Sequence, residues 1–283
     1  MNNFYLKDVA STVARALAED LGDGDVTAAL INSAQQAQAT ITTRQSATIA
    51  GAPWVNEVFR QVDPSIDIVW RVTEGQSVLQ DTTLFELTGP AASILTAERS
   101  ALNFLQTLSA TATAARRYAS LVEGAKTQIL DTRKTLPGMR LAQKYAVRIG
   151  GGSNHRIGLF DAFLIKENHI VAAGGIAQAI ARARAANPSL KLEIEVESLD
   201  ELSEAIAAQP DWIMLDNFDD ASLQKAVAST PSSIKLEVSG GIESDDDIKR
   251  IASLGVDYIS IGAMTKHIQA TDLSLRMTTT PNK

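Results

Sequence analysis

Four short apolar runs in the second half of the chain decide the fold: KLEIEVES (191–198), DWIMLDN (211–217), IKLEVSGG (234–241) and DYISIGA (257–263). Helical patterns separate each run from the next, and two earlier runs, TQILDT (127–132) and DAFLIK (161–166), extend the series to six. Regular alternation of strand and helix predicts a parallel sheet. Polar residues at every strand end favour a (β/α) barrel over an open doubly wound sheet.

The first hundred residues predict a mixed α/β domain. A helix is expected at about 4–19 and another after Pro53, with strands at 37–44, 46–51, 67–72 and 83–89. These strands alternate apolar and polar side chains, which suits a sheet with one covered face. The stretch 93–124 has apolar residues at spacings of three and four, and predicts a long helix that connects the two domains.

Composition limits the class of protein. The 283 residues are 45% apolar and can fill one large or two modest domains. No run of about 18 uncharged apolar residues is present, so no membrane segment is predicted and the cytoplasm is the expected location. Because there is no cysteine, a metal would need oxygen or histidine ligands, which favours a hard ion such as Mg²⁺.

Acidic residues on the predicted barrel strands are unusual, because strands of a parallel sheet are normally apolar on both faces. Period two places Glu193, Glu195 and Glu197 on one face, and the alternating apolar residues on the face toward the helices. The glutamates are therefore expected to point into the barrel, where they need cations or donors. Polar residues on other strands are expected beside them, namely Lys166, Asp216, Glu237 and Ser239. A functional site is favoured over structural ion pairs for the set as a whole.

Cations concentrate between residues 131 and 169, which hold seven of the 26 Lys and Arg but three acidic residues, in a chain of net charge −7. Such a cluster on an acidic protein argues against nucleic-acid binding and for a small, highly charged ligand. Arg140, Lys144 and Arg148 share one predicted helix face, for which a solvated face or a phosphate rim and a direct contact with the substrate both stay open. No carboxylate neighbours His155 in the sequence, so a hydrogen-bond donor to an anion is favoured over a general base.

Two glycine turns follow the last two predicted strands, at Ser239–Gly240–Gly241 and at Gly262. Glycine lets backbone N–H groups approach an anion closely, and loops after the last strands of such barrels often bind phosphate. The pair of turns predicts a phosphorylated substrate.

Several segments resemble the quinolinate phosphoribosyltransferases, also called carboxylating nicotinate-nucleotide pyrophosphorylases. The two long and specific segments are ILDTRKTLPGMR (129–140) and KYAVRIGGGSNHRIGLFDAFLIKENH (144–169). Shorter ones are EDLGDGDVT (19–27), AERSALNFLQTLSATAT (97–113), EIEVES (193–198), IMLDNF (213–218), EVSGGI (237–242) and SIGAMT (260–265). The resemblance covers about residues 19–266.

The resemblance implies an α/β fold: an amino-terminal sandwich-like domain (1–112, with the connecting helix) and an incomplete (β/α) barrel with six parallel strands (113–266). The segment 267–283 is expected to return to the amino-terminal domain. The implied reaction joins quinolinate and 5-phosphoribosyl 1-pyrophosphate, with Mg²⁺, and gives nicotinate mononucleotide, pyrophosphate and CO2 in NAD biosynthesis. A homodimer is implied, without nucleic-acid or membrane partners.

Site residues are also implied by the resemblance. The quinolinate contacts are Arg133, His155, Arg156 and Lys166, with Arg99 reaching the site of the partner subunit. Thr132 and Lys134 lie at the rim, Lys134 near the pyrophosphate. Glu195 and Asp216 hold the ribose hydroxyls and Mg²⁺, directly or through substrate or water. The phosphate loops are Ser239, Gly240, Gly241, Ser260, Ile261 and Gly262. The implied catalytic residues are Lys134, Lys166, Glu195 and Asp216.

Three alternatives stay open at this point. A molybdenum-transport-associated relative shares the fold and part of the motifs. A Schiff-base aldolase could use Lys134 or Lys166 as the nucleophile, although flanking arginines and carboxylates disfavour it. A non-catalytic sensor of phosphoribosyl ligands would bind substrate and release no pyrophosphate.

Overall fold

A computed structural model describes residues 3–242 and 244–279 of the chain. Its helices are α1 (Val9–Leu21), α2 (Ala52–Val62), α3 (Ala91–Leu121), α4 (Arg140–Ile149), α5 (Glu167–Ala173), α6 (Ile176–Ala186), α7 (Leu199–Ala208), α8 (Asp220–Ser229), α9 (Asp245–Ser253) and α10 (Ala263–Lys266). Its strands are β1 (Gln36–Thr43), β2 (Ala47–Thr48), β3 (Asp67–Trp70), β4 (Ser77–Val78), β5 (Thr83–Pro90), β6 (Gln128–Leu130), β7 (Ala162–Ile165), β8 (Lys191–Val196), β9 (Trp212–Asp216), β10 (Lys235–Ser239), β11 (Tyr258–Ser260) and β12 (Leu273–Thr279). Within the described residues, no helix is long and apolar enough to cross a membrane.

The chain divides into two compact units. The first contains the residues up to Arg116, the segment Thr135–Gly151 and the residues from Met264 onward; the second contains Arg117–Lys134 and Gly152–Ala263. The ranges expected from the sequence, 1–112, 113–266 and 267–283, put Thr135–Gly151 into the barrel. The structure groups that segment with the first unit, where Tyr145 on α4 packs against Trp54 on α2 at 5.3 Å between ring centroids.

The first unit is built on an antiparallel sheet with strand order β12-β1-β5-β3. Alternate residues of β1, including Ala37, Ala39 and Ile41, are buried, as expected for a sheet with one covered face. β12 pairs antiparallel with β1 along its whole length. The carboxy-terminal segment thus returns to the first unit as far as Thr279; residues 280–283 lie outside the described part.

The second unit contains a six-stranded parallel sheet with strand order β6-β11-β10-β9-β8-β7. The predicted α/β fold with six parallel strands is confirmed, and β6 and β7 are the edges of this sheet. Because the strands are parallel, their carboxyl ends lie together, and the predicted site residues lie at these strand ends or in the loops that follow them. This edge is where the candidate site lies.

The predicted burial of the glutamates on β8 is correct for Glu193 and Glu195, which are both buried. It is wrong for Glu197, which is exposed. The strand ends at Val196, and the chain then turns into α7, where the Ser198 side chain accepts a hydrogen bond from the N–H of Glu201. The alternation of side chains between the two faces of the strand therefore ends before Glu197.

Candidate active site

A pocket of about 320 Å³ lies at the carboxyl end of the barrel strands, within the second unit. Four cationic side chains line it, which are Arg133, Lys134, Arg156 and Lys166. The other lining residues are Thr132, His155, Leu164, Met214, Glu237, Ser239 and Ser260. The volume suits a small ligand, and the charge suits an anion.

The loop after β6 is shaped by the hydroxyl of Thr132 and by the nearby Gly262 in the loop after β11. The Thr132 side chain accepts a hydrogen bond from the Lys134 N–H at 3.0 Å. A Cβ on Gly262 would come within 3.1 Å of the Lys134 side chain and 3.3 Å of the Thr132 hydroxyl. Gly262 therefore lets the loop after β11 approach the loop after β6.

The segment 154–156 is held by a buried carboxylate whose role no local sequence pattern indicates. Asp131, directly after β6, is completely buried. It accepts hydrogen bonds from the Asn154 side-chain amide at 2.6 Å and from the His155 backbone N–H at 2.9 Å. Two residues of the predicted anion-binding segment are thus tied to the end of a barrel strand.

A second carboxylate bends the chain beyond Arg156. Asp161 accepts hydrogen bonds from the backbone N–H groups of Ile157 and Gly158 at 2.7 and 2.8 Å. These bonds return the chain toward β7, whose carboxyl end leads to Lys166. The position of Asp161 next to a strand was the only signal for this role in the sequence.

Arg133 and Arg156 are close enough to interact unfavourably. Burial and the charge of Arg133 both lower the pKa of Arg156. The Arg133 Nε atom is buried and has no hydrogen-bond partner among the described residues. Two neighbouring guanidinium groups, one with an unpaired buried donor, form a site that an anion would complete.

Lys166 and Glu195 come from neighbouring strands, and the Lys166 ammonium contacts the Glu195 carboxylate. Lys166 is about half exposed, whereas Glu195 is buried. His169 caps the start of α5, because its Nδ1 accepts a hydrogen bond from the Lys166 backbone N–H at 3.0 Å. The lysine therefore has both a fixed backbone and a nearby counter-charge.

Asp216 and Ser239 are direct neighbours in the register of β9 and β10. The Asn217 side-chain amide donates to Asp216 at 2.9 Å. Gly240 has φ +77, and a Cβ there would come within 2.3 Å of the Asn217 side chain and 2.9 Å of the Asp216 carboxylate. The glycine turn predicted as a phosphate loop thus lies against Asp216, and a larger residue there would displace the Asn217 and Asp216 side chains.

His155 has two carboxylate partners, although none is near it in the sequence. Its Nε2 lies 2.8 Å from a Glu193 oxygen and 3.3 Å from a Glu237 oxygen. All three side chains are at most 8% exposed. The partners lie 38 and 82 residues away in the sequence, so no local pattern could have revealed them.

The three side chains shift one another's pKa values. Burial lowers the pKa of His155, but the two carboxylates outweigh it and raise that pKa above the ordinary value. Burial and the charge of Glu237 likewise raise the pKa of Glu193. The backbone N–H of Arg156 lies 2.8 Å from His155 Nδ1, and Nε2 faces the two glutamates. Both ring nitrogens therefore face protein atoms.

Some predicted residues lie elsewhere. Arg99 is exposed on α3 in the first unit. Lys144 is completely buried on α4, so the interpretation as a solvated face or a phosphate rim is wrong for this residue. Ile261 is buried, and its N–H donates to the Leu130 carbonyl at 2.9 Å, so it joins the ends of β6 and β11.

A barrel unit with a cation-lined pocket beside inward-facing carboxylates defines an α/β-barrel enzyme for anionic substrates. Comparisons identify the family. Residues 25–109 match the N-terminal domain of quinolinate phosphoribosyl transferase, and residues 111–276 match its C-terminal domain. This chain belongs to the quinolinate phosphoribosyltransferase family.

Individual relatives support the same family. The chain is 38% identical over 279 residues to a probable nicotinate-nucleotide pyrophosphorylase [carboxylating] of Bacillus subtilis, covering 98% of this chain and 95% of the relative. It is 40% identical over 273 residues to the corresponding protein of Mycobacterium leprae, covering 93% and 95%. A solved nicotinate-nucleotide pyrophosphorylase from Francisella tularensis superposes with a TM-score of 0.92 at 49% identity, over 98% of each chain. These matches favour the pyridine enzyme over the three alternatives.

Proposed function

We propose that this member of the family carries out its reaction in the barrel pocket. It transfers the phosphoribosyl group of 5-phosphoribosyl 1-pyrophosphate to quinolinate, and releases pyrophosphate and CO2 to give nicotinate mononucleotide. The observation that carries the assignment is the pair of arginines, Arg133 and Arg156, in a pocket of suitable size. Quinolinate has two carboxylates on adjacent ring carbons, and arginine suits planar carboxylates.

The quinolinate site is assigned to Arg133, Arg156 and Lys166. Placing the dianion there would relieve the repulsion between the guanidinium groups and satisfy the buried Arg133 N–H. His155 lines the same pocket, but its ring nitrogens face Glu193, Glu237 and the Arg156 backbone. We therefore assign it to the wall of the site rather than to a hydrogen bond with the substrate.

The phosphoribosyl site is assigned to the adjoining strand ends. The loops with Gly240, Gly241 and Gly262 allow close backbone approach to phosphate. Glu195 and Asp216 accept hydrogen bonds from the ribose hydroxyls. Lys134, an exposed cation at the rim, faces the pyrophosphate.

The chemistry depends mainly on charge placement. The ring nitrogen of quinolinate forms the bond to the ribose carbon, and pyrophosphate leaves with the electrons of the broken C–O bond. Positive charge that develops at that carbon is stabilised by Glu195 and Asp216, while Lys134 stabilises the leaving group. After transfer, the bond between the ring carbon and the departing CO2 breaks and leaves its electron pair on that carbon, where the adjacent cationic nitrogen stabilises it until the carbon takes up a proton from solvent; no side chain is assigned to that step.

Mg²⁺ fits the carboxylate side of the site. Glu195 and Asp216 offer oxygen ligands, the type that Mg²⁺ prefers, on neighbouring strands. Mg²⁺ held by these carboxylates would supply positive charge to the departing pyrophosphate.

The active form is proposed to be a homodimer in which Arg99 of one subunit reaches the pocket of the other. The support is the resemblance of AERSALNFLQTLSATAT (97–113) to the family, together with the exposure of Arg99 on α3. A cation from the partner would add to the four that line the pocket.

A product assay tests the function. Purified protein is incubated with quinolinate, 5-phosphoribosyl 1-pyrophosphate and Mg²⁺, and nicotinate mononucleotide, pyrophosphate and CO2 are measured. All three are expected in equal amounts. Absence of product from quinolinate, with turnover of nicotinate in its place, would overturn the proposal.

A further inference from the structure

A glutamine on α4 joins two chain segments that are far apart in the sequence. Gln143 is completely buried. Its side-chain Oε1 accepts a hydrogen bond from the backbone N–H of Leu136 at 2.8 Å, and its Nε2 donates to the backbone carbonyl of Thr265 at 2.9 Å. One amide is therefore hydrogen-bonded both to the loop after β6 and to α10.

Packing alone does not call for an amide at this position. Ala142 and Ala146 on the same helix are buried and apolar, and an apolar side chain at position 143 would avoid the cost of burying an amide. Hydrogen bonds at both ends of the amide offset that cost. A carboxamide carries a donor and an acceptor on one planar group, so it can join a backbone N–H to a backbone carbonyl. The side chain is thus suited to hold two segments at a fixed distance.

The two segments lead directly from the substrate site. Leu136 follows Lys134, the cation assigned to the pyrophosphate, by two residues. Thr265 follows Gly262 of the phosphate loop by three residues. The two loops approach each other closely, since a Cβ on Gly262 would come within 3.1 Å of the Lys134 side chain. A shift of either segment would therefore change the distance between Lys134 and the phosphate loop.

Two other cations of the pocket are held without Gln143. Asp161 accepts hydrogen bonds from the two backbone N–H groups that follow Arg156. Lys166 contacts the Glu195 carboxylate. Loss of the Gln143 amide should therefore affect the binding of quinolinate less than that of the phosphoribosyl substrate.

We propose that Gln143 is a positioning residue for phosphoribosyl transfer. Its amide sets the distance between Lys134 and the phosphate loop at Gly262, and so the fit of 5-phosphoribosyl 1-pyrophosphate between them. The inference rests on the proposed function and deepens it. Gln143 does not line the pocket, and it acts through the backbone of Leu136 and Thr265. A misplacement of about 1 Å in a reacting site can lower the rate on the order of a hundredfold.

Removal of both hydrogen bonds at nearly constant shape tests this. Gln143→Met keeps the length of the side chain and loses the donor and the acceptor. Steady-state kinetics with each substrate varied, and calorimetry with quinolinate alone, compare it with wild type at a temperature where both are folded. The kcat/KM for 5-phosphoribosyl 1-pyrophosphate is expected to fall on the order of a hundredfold, and the affinity for quinolinate to change far less.

A second variant keeps the test independent of one substitution. Gln143→Asn retains an amide that is one methylene shorter and cannot reach both partners. Its kcat/KM for 5-phosphoribosyl 1-pyrophosphate should lie between those of wild type and Gln143→Met. This variant decides the test if Gln143→Met fails to fold.

Thr111→Val is the matched control for a purely structural role. Thr111 on α3 is also completely buried, and its hydroxyl donates to the Thr107 carbonyl at 3.2 Å. Its contact with Gln143 Nε2, at 3.4 Å, is beyond the usual range of a hydrogen bond. Valine retains the shape, so the thermal midpoint should fall while kcat and both KM values stay near those of wild type.

Three outcomes would overturn the inference. Folded Gln143→Met could have a wild-type kcat/KM for 5-phosphoribosyl 1-pyrophosphate, or it could lose quinolinate affinity to the same extent. Alternatively, Thr111→Val could show the same kinetic loss as Gln143→Met, which would assign the effect to stability. Inactivity of the wild type in the product assay would instead refute the proposed function itself.

Discussion

Asp131 accepts a hydrogen bond of 2.9 Å from the backbone N–H of His155 and thereby ties the predicted anion-binding segment to the end of β6. The carboxylate is completely buried and also accepts from Asn154. Hydrogen bonds to a charged group are worth roughly 1.5–3 kcal/mol each, and removal of the acceptor leaves buried donors unpaired.

Asp131→Ala is therefore expected to lower the free energy of unfolding by about 3 kcal/mol or more. Asp131→Asn keeps one acceptor oxygen and should lose less. Urea denaturation measures both, and the exposed Asp23→Ala is the control, with a change within about 0.5 kcal/mol. Wild-type stability of Asp131→Ala would show that the bonds do not hold the segment.

Arg133→Ala and Arg156→Ala are expected to weaken quinolinate binding by roughly 2–5 kcal/mol each, because each leaves a substrate carboxylate unpaired in the pocket. Calorimetry with quinolinate measures this directly. Lys225→Ala on α8 removes an exposed cation away from the pocket and serves as the control. Unchanged affinity in both arginine variants would contradict the assigned site.

Gly240→Ala is expected to impair the phosphate loop. At φ +77 an alanine is strained, and its Cβ would approach the Asn217 side chain to 2.3 Å. Strain of this kind costs about 1–3 kcal/mol, and the KM for 5-phosphoribosyl 1-pyrophosphate should rise. Gly241→Ala is the matched control, because its φ is +63 but its nearest contact is 3.9 Å away. Equal behaviour of the two variants would refute the argument from close approach.

Removal of Mg²⁺ is expected to stop turnover. Activity should disappear in a chelator and return when Mg²⁺ is added in excess. Asp216→Asn and Glu195→Gln should raise the Mg²⁺ concentration needed for half-maximal activity, since each removes a charged oxygen ligand. Asp200→Asn, an exposed carboxylate on α7, is the control. Full activity in the chelator would rule out the metal.

Subunit mixing tests the proposed homodimer. Arg99→Ala and Lys134→Ala should each be nearly inactive, because each leaves every site incomplete. A heterodimer of the two variants contains one site with both residues intact and should recover part of the wild-type activity. No recovery in a heterodimer verified by mass spectrometry would argue against a site shared between subunits.

Much of the fold could be predicted, because strands and helices follow from local periodicity. The alternation of 191–263 predicts parallel strands, and the inward direction of Glu193 and Glu195 follows from a period of two. The limit of that reasoning is visible at Glu197, where the strand has already ended. It is visible again at Lys144, since three cations on one helix face do not reveal what that face meets.

The sequence by itself determined which kind of functional residue each barrel strand carries. Cations follow β6 and β7, carboxylates lie on β8 and β9, and glycine turns follow β10 and β11. The tertiary structure alone decided which groups meet. Asp131 holds His155 across 24 positions, and Glu193 and Glu237 converge on the same ring from strands on either side of β9. Such contacts depend on sheet order and register, which arise from the packing of the whole unit and leave no trace in local spacing.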